Sequence, residues 1–477
     1  VLSSLALKSY LDDVIHEHLH GVPVPGYVAG VLWGDAVTVV AEGTANLTTG
    51  ASMTPDTAFL IGSITKPIVT SLLLRVVDQG TIDLDDRVVD HLPELCLGDP
   101  ETLSALTVRH LLNHSSGIDA GDYFPEMGRG SDMVARYVAS LHDIGQVHPL
   151  GRHISYCNAA FVIAGRLLEV VADTEFDRLL RSEIFDPFGL TRACTTGDEA
   201  ILGRAAIGHI VDSATLLARP TRRFMLPYSG APAGTTVIDT VEDLLCFAAV
   251  HLSEGRTSEG SQVLSPAAVA AMATPTITSA QLYGYSVGLG WQLPPFGGTR
   301  VLAHYGGSYG GVASILVLPD HGFAFAAFGN STHARPVHER IHEALMTDLL
   351  GLPGADRIPR SDTNIDPFQF EGRYERQHLR TTIAVDEDGH LAAHITFLDP
   401  EGEADWRAEY SGYHTLPPIP IEPVTPTLCL PTGDRSTEIA VPHALAEGWT
   451  FLDRDGAGRF GAVANDRRLS RRIEVSE

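Results

Sequence analysis

The chain has 477 residues, of which 44% are hydrophobic and 19% charged, and its formal net charge is -26. That length exceeds one ordinary core and asks for two or three domains, and the charge argues against nucleic acid or an anionic membrane as a partner, because both are polyanions. No apolar stretch is long enough to span a bilayer, and five scattered cysteines without metal-like spacing fit a reducing compartment.

Residues 2–20 carry Lys8, Asp12, Asp13 and Glu17 among apolar positions. They predict an amphipathic helix, not a signal peptide, so the chain as given points to the cytoplasm. A leader cleaved before Val1 would leave the same pattern. Residues 27–40, with Gly34-Asp35 between two apolar runs, predict a β-hairpin. The middle of the chain has helical patterns over 63–79, 107–114, 132–144, 158–172 and 176–184, closed by a turn at Asp186-Pro187-Phe188-Gly189-Leu190. A helix is expected over 237–251, and a short one over 265–272, where Ser265-Pro266 supplies an N-cap and a first-turn proline.

Strand patterns return at 285–293, 300–304, 311–318 and 323–328, and a helix over 337–350 closes the unit. This order predicts an antiparallel sheet built from both ends of the unit, with a helical layer between them. Pro353, Gly354, Pro359, Ser361, Asp362 and Asn364 mark a linker, 353–366, after a first domain of 1–352. The remainder, 367–477, reads as a separate all-β barrel or sandwich. Its strand patterns lie at 372–376, 381–386, 391–397, 437–441 and 449–452, with Asp388-Gly389 as a hairpin turn.

Three short motifs carry chemistry. Ser63 and Lys66 open a helical pattern, and residues three apart share a helix face. A neutral lysine there can take the hydroxyl's proton, and the helix N-terminus favours an oxyanion. Tyr156-Cys157-Asn158 precedes the next helix; a nearby ammonium would favour an ionised phenol as proton relay, and the Asn158 amide can hold Lys66 and a substrate carbonyl together. His304-Tyr305-Gly306-Gly307 sits at the end of a strand, where glycines let a substrate backbone lie along the edge. The N–H groups of Ser63 and Gly307 would form an oxyanion hole, and His304 would donate to the substrate or to Tyr156. Taken singly, each motif has an ordinary structural explanation: a capping serine beside a solvated lysine, a capped helix beside a core tyrosine, a glycine-rich turn.

Together, and in this order, the motifs resemble those of the serine β-lactamase and penicillin-binding-protein superfamily, in its class C β-lactamase and DD-peptidase branch. The runs Thr57 to Ser63, Gly80 to Asp86 and Leu106 to Ile118 are similar to that branch as well. The resemblance covers about residues 5–350 and implies an α+β, β-lactamase/transpeptidase-like fold. An antiparallel sheet is flanked by helices, a helical subdomain faces it, and the site lies in the cleft between them. It implies Ser63 as the acylated nucleophile, with Lys66 and Tyr156 sharing acid and base duty, and no metal or organic cofactor.

Two departures refine this reading. Histidine stands at His304 where class C β-lactamases usually have lysine, so efficient lactam hydrolysis is not expected. Tyr305 replaces a small residue and is expected to reshape the acyl groove. The C-terminal β domain looks like the lipocalin-like appendage of penicillin-binding-protein-type thioesterases, with Gly234 in Pro232-Ala233-Gly234-Thr235 placed near the acyl group. The leading expectation is therefore a serine acyltransferase that releases and macrocyclises a nonribosomal peptide ending in a D-residue. Its substrate would arrive as a peptidyl thioester, on a peptidyl carrier protein in one version. A D-stereospecific peptidase, aminopeptidase or esterase is the alternative. A penicillin-binding sensor that acylates without turning over is the alternative of another class.

Overall fold

The computed structural model describes residues 3–212, 215–278, 286–354, 365–400, 418–432, 448–465 and 467–474. The central element is an antiparallel sheet of nine strands among the described residues: β1 (Gly26–Trp33), β2 (Ala36–Asn46), β3 (Ala51–Ser52), β4 (Ile277–Thr278), β5 (Ser286–Val287), β6 (Gln292–Leu293), β7 (Leu302–Ser308), β8 (Gly311–Leu318) and β9 (Phe323–Gly329). Their order is β3-β2-β1-β9-β8-β7-β6-β5-β4, so the first hairpin lies beside the last strand of the unit. The register joins Tyr27 to Gly329 and Trp33 to Phe323. Gly34 closes the β1–β2 hairpin with a φ of +62°, a turn conformation that glycine adopts without strain.

Both faces of the sheet are covered, which is why β1 and β9 read as almost continuous apolar runs. On one face pack α1 (Ser4–Leu19) and α5 (Ala334–Ala344), burying Leu7, Leu11, Val337 and Ile341. On the other lies the larger core, containing α2 (Thr65–Asp78), α3 (Asn158–Ala172) and α4 (Val241–Leu252). Ile68, Val69, Leu72 and Leu73 of α2 and Phe161, Leu167 and Leu168 of α3 are buried there. A two-stranded pair, Phe59–Leu60 with Ile238–Asp239, ties the chain just before Ser63 to the start of α4.

Residues 372–473 contain a closed eight-stranded antiparallel barrel: β10 (Gly372–Arg376), β11 (Leu379–Val385), β12 (Leu391–Phe397), β13 (Ile419–Thr425), β14 (Leu428–Pro431), β15 (Trp449–Arg454), β16 (Phe460–Asn465) and β17 (Arg468–Ile473). Phe370, Tyr374, Trp449, Phe451 and Phe460 fill its interior. The barrel packs on the helical region through Val147, Ala462, Ala464 and Leu469. Hydrogen bonds reinforce this junction: Gln377 N–H donates to Asp119 Oδ1 at 2.9 Å, and Leu469 N–H to Ser155 Oγ at 3.1 Å.

Several local expectations change. The run at 286–293 is two short strands, because Gly290 turns the chain at φ +74°. The helix expected from Val237 starts at Val241, where the Thr240 side chain caps it; Ile238-Asp239 before it is extended. The strand expected to end at His304 continues to Ser308, so the third motif lies inside a strand, paired to β8 from Leu302 to Ser308. The expected strand at 437–441, residue Tyr285 and most of the linker lie outside the described residues. The barrel also uses β13, β14, β16 and β17, which the apolar pattern did not single out.

Candidate active site

Ser63 stands in a 3-10 turn, Gly62–Ile64, that feeds directly into α2. The turn is fixed where three backbones meet. A Cβ on Gly306 would lie 1.8 Å from the Ile61 carbonyl oxygen, and one on Gly62 would lie 2.5 Å from the Gly307 carbonyl oxygen. A Cβ on Gly234, itself at φ +114°, would lie 2.3 Å from the Gly62 carbonyl oxygen and 2.9 Å from Ser63 N. Glycine is therefore a packing requirement at these positions. Gly234 braces the peptide that carries Ser63, and Gly306 is covered by Ile61. Gly307 is the exposed member of the strand, next to half-buried Ser63.

Lys66 is fully buried, and its Nζ lies 2.9 Å from Ser63 Oγ. The same nitrogen donates to the Ala233 carbonyl oxygen at 2.6 Å. Burial holds the Lys66 pKa well below its ordinary value, and the Arg468 guanidinium pushes it further down. A neutral amine held by Ala233 keeps a lone pair for the Ser63 proton. Lys66 Nζ also lies 4.8 Å from the Tyr156 ring centroid, and the Tyr156 ring is 6.2 Å from that of His304. Ser63, Lys66, Tyr156 and His304 thus converge on one cleft.

Asn158 opens α3, and its Nδ2 donates to the Gly121 carbonyl oxygen at 2.5 Å. The expected bond from Asn158 to Lys66 is replaced by the Ala233 contact. Asn158 Oδ1 is buried without a hydrogen-bond partner among the described residues. His304 needs a second correction. Its Nδ1 lies 2.7 Å from the Tyr305 carbonyl oxygen, an acceptor, so Nδ1 carries the proton. Burial and nearby Lys66 hold the ring's pKa well below the usual imidazole value, so the ring is neutral and Nε2 is an acceptor, not the expected donor. Nε2 is likewise buried and unpartnered among the described residues.

Tyr305 is the third correction. Successive strand side chains point to opposite faces, so with His304 in the cleft Tyr305 points to the back of the sheet. There its ring packs on His338 and His342 of α5 and under Arg335, whose guanidinium carbon is 4.4 Å from the ring centroid. It has no place in the acyl groove.

Sequence reasoning missed His114 and the Arg467-Arg468 pair. His114, at φ +59°, accepts the Cys157 N–H on Nδ1 at 3.1 Å and packs on Tyr156 with ring centroids 4.3 Å apart. It positions the second motif. Arg467 immediately precedes β17 of the barrel, and Arg468 is its first residue. The Arg467 carbonyl oxygen accepts the Tyr156 N–H at 2.9 Å, and Arg467 Nη1 donates to Gln292 Oε1 at 2.7 Å. The Arg468 guanidinium carbon is 5.0 Å from the Tyr156 ring centroid, and its Nη2 pairs with Asp122 at 2.9 Å. Asn465-Asp466 ahead of two arginines was the available turn signal, but nothing local tied it to Ser63.

A family model described as Beta-lactamase matches residues 11–347. Penicillin-binding protein 4 of Amycolatopsis lactamdurans is 33% identical over 359 residues, covering 74% of this chain and 94% of that protein. Unguisins hydrolase ungD of Aspergillus violaceofuscus (strain CBS 115571) is 23% identical over 383 residues, covering 74% of this chain and 67% of that protein. Among solved structures, SurE is similar with a TM-score of 0.77 and 22% identity over 99% of this chain and 100% of its own, barrel included. SurE solved with D-Leu gives a TM-score of 0.75 at 23% identity, over 98% of this chain and 100% of its own.

Two outcomes follow from this geometry. Gly306→Ala should destabilise the chain by roughly 3 kcal/mol in urea denaturation, since the clash is with backbone that cannot rotate away; an unchanged midpoint would contradict the packing. Arg468→Gln removes a cation that depresses the Lys66 pKa, so that pKa rises. The pH at which labelling of Ser63 by a neutral fluorophosphonate reaches half its plateau should therefore move upward. A midpoint that stays put or falls would remove Arg468 from the electrostatics of the lysine.

Proposed function

The chain belongs to the β-lactamase family, and from that membership and the geometry of the cleft we propose a serine acyl-transfer enzyme. Its substrate is a peptide with a D-residue at the reacting carboxyl end, and it releases that peptide by cyclisation. The observation that carries the reading is the buried, charge-depressed Lys66 beside Ser63, under a turn of the barrel. In the first step Ser63 Oγ attacks the acyl carbon while its proton passes to Lys66 Nζ. The oxyanion forms against the N–H groups of Ser63 and Gly307. Collapse breaks the bond to the leaving group, a thiolate if the substrate is a peptidyl thioester, which receives from Lys66, by way of Tyr156, the proton that Ser63 gave up. A small thiol or a peptidyl carrier protein would deliver that thioester.

In the second step the peptide's own amine attacks the acyl-Ser63 ester, giving a lactam and returning the proton to Ser63. The amine must approach with an N–H toward an acceptor, and neutral His304 Nε2 is one. Asn158 Oδ1 offers a second acceptor for an amide N–H of the acyl chain. Support for a D-residue comes from the SurE structure with D-Leu. Support for the barrel as part of the site comes from Arg467 and Arg468, which reach Tyr156. Water in place of the amine would make the same machinery a D-specific hydrolase, a reading favoured by the relative named as an unguisins hydrolase.

A peptidyl thioester mimic ending in a D-residue separates the two. Mass spectrometry should show product lighter than the linear acid by one water; linear acid alone would refute cyclisation and leave hydrolysis. Ser63→Ala and Lys66→Ala should both abolish the acyl-enzyme seen in the intact-protein mass, with loss of at least about a thousandfold in rate. Normal acylation of Lys66→Ala would remove the lysine from its role.

A further inference from the structure

Beyond the catalytic groups, a cavity of about 780 Å³ opens between the 3-10 segment Tyr228–Ala233 and the end of β7. Two lining residues lead toward the site: Tyr228 opens the segment that ends at Ala233, the partner of Lys66, and Tyr309 follows Gly307 by two residues. At about 3.3 Å per extended residue, the cavity begins roughly 7 Å beyond Gly307. An acyl chain leaving Ser63 along β7 reaches it with the third residue, counting the esterified residue as the first. Among the described residues β6 pairs with β7 only at Ala303, which leaves the later residues of that edge without a strand partner.

The lining of the cavity has a definite chemistry. The Arg129 guanidinium carbon lies 4.5 Å from the Tyr228 ring centroid, and that of Arg223 lies 5.7 Å from the Tyr309 ring. Arg223 Nη1 also donates to Tyr309 Oη at 3.4 Å. Phe224 also lines the cavity, in a chain segment, 222–228, that contributes throughout. Ile201, also in the lining, is 79% exposed, an apolar surface that a bound side chain would remove from water. Flat cation-bearing faces and an apolar floor suit an aromatic ring, which gains from both burial and the guanidinium planes. An acidic side chain would meet Glu126 and Asp198 as well as Arg129, Arg222 and Arg223, and the guanidinium groups of Arg129 and Arg223 are already stacked on tyrosine rings.

We infer that this cavity is a specificity subsite for an aromatic side chain at the third residue of the acyl substrate. The inference rests on the proposed acyl transfer through Ser63. The test uses tetrapeptidyl N-acetylcysteamine thioesters ending in D-Ala, with Phe, Gly or Asp at the third residue from the thioester. Phe should exceed Gly and Asp in kcat/KM for acylation by about tenfold. Arg129→Gln, and Phe224→Leu, which keeps an apolar side chain against the Leu60, Cys194 and Ile238 cluster that Phe224 packs on, should each shrink the Phe-to-Gly ratio. Equal rates for Phe and Gly, a preference for Asp, or a ratio unchanged in both variants would overturn the subsite while leaving Ser63 chemistry intact. Failure of every thioester to acylate Ser63 would overturn the acyl-transfer reading and the subsite with it.

Discussion

The cleft is organised around a lysine that has been taken out of water. A buried ammonium costs far more than a buried amine, so burial itself sets the protonation state that a base requires. The surroundings then fix where the amine points. The Ala233 carbonyl takes one N–H, and the Tyr156 and Phe161 rings flank the nitrogen at 4.8 and 5.5 Å from their centroids. Ser63 is the remaining direction, at 2.9 Å. The glycines at 62, 234 and 306 serve the same end, because they let the sheet edge and the Tyr228–Ala233 segment press close enough to seal the amine.

The barrel enters this arrangement as a second source of charge. Burial is the main cause of the lowered pKa values at Lys66, His114 and His304, and nearby Lys66 adds to it at both histidines; Arg468 contributes further at Lys66 and His114, and Arg467 at His304. Arg467 holds a left-handed backbone at φ +59°, uncommon for a residue with a Cβ, while its carbonyl accepts the Tyr156 N–H. That backbone, pinned at Ser155, Tyr156 and Gln292, makes the barrel part of the wall of the site and adds to its electrostatics. The junction is small and apolar at Val147 and Leu469 and polar around it, the pattern of an interface that positions one domain on another.

Much of the site was legible because its chemistry depends on local spacing. Ser63 and Lys66 meet through a helical i to i+3 relation, and Asn158 begins its helix at the residue the pattern indicated. Tyr305 was misread because its neighbour carries the function: period-two alternation sends adjacent residues to opposite faces, and placing His304 in the cleft already placed Tyr305 outside it. The role of Asn158 was misread because competition for its amide is settled by Gly121, a contact across the fold. Arg467 and Arg468 had no local signature. They reach Tyr156 across more than three hundred positions of chain, and only the packing of the barrel on Val147 brings them there. The barrel strands β16 and β17 escaped notice for a related reason. Exposed Arg471 and its neighbour Arg472, which stacks on the interior Tyr374 ring, interrupt the apolar alternation.

The unmet polar atoms say what an occupant must bring. Asn158 Oδ1 and His304 Nε2 are both acceptors, buried and without partners among the described residues. Leaving such atoms empty costs free energy in a closed cleft, so a ligand that supplies N–H or O–H groups is favoured over one that supplies only oxygens. A peptide amide and an incoming amine supply N–H groups; the carboxylate of a bicyclic lactam does not. A lysine at position 304 would reverse that order, since an ammonium seeks carboxylate oxygens. The tautomer set by one carbonyl, that of Tyr305, therefore makes His304 an acceptor where a lysine would be a donor.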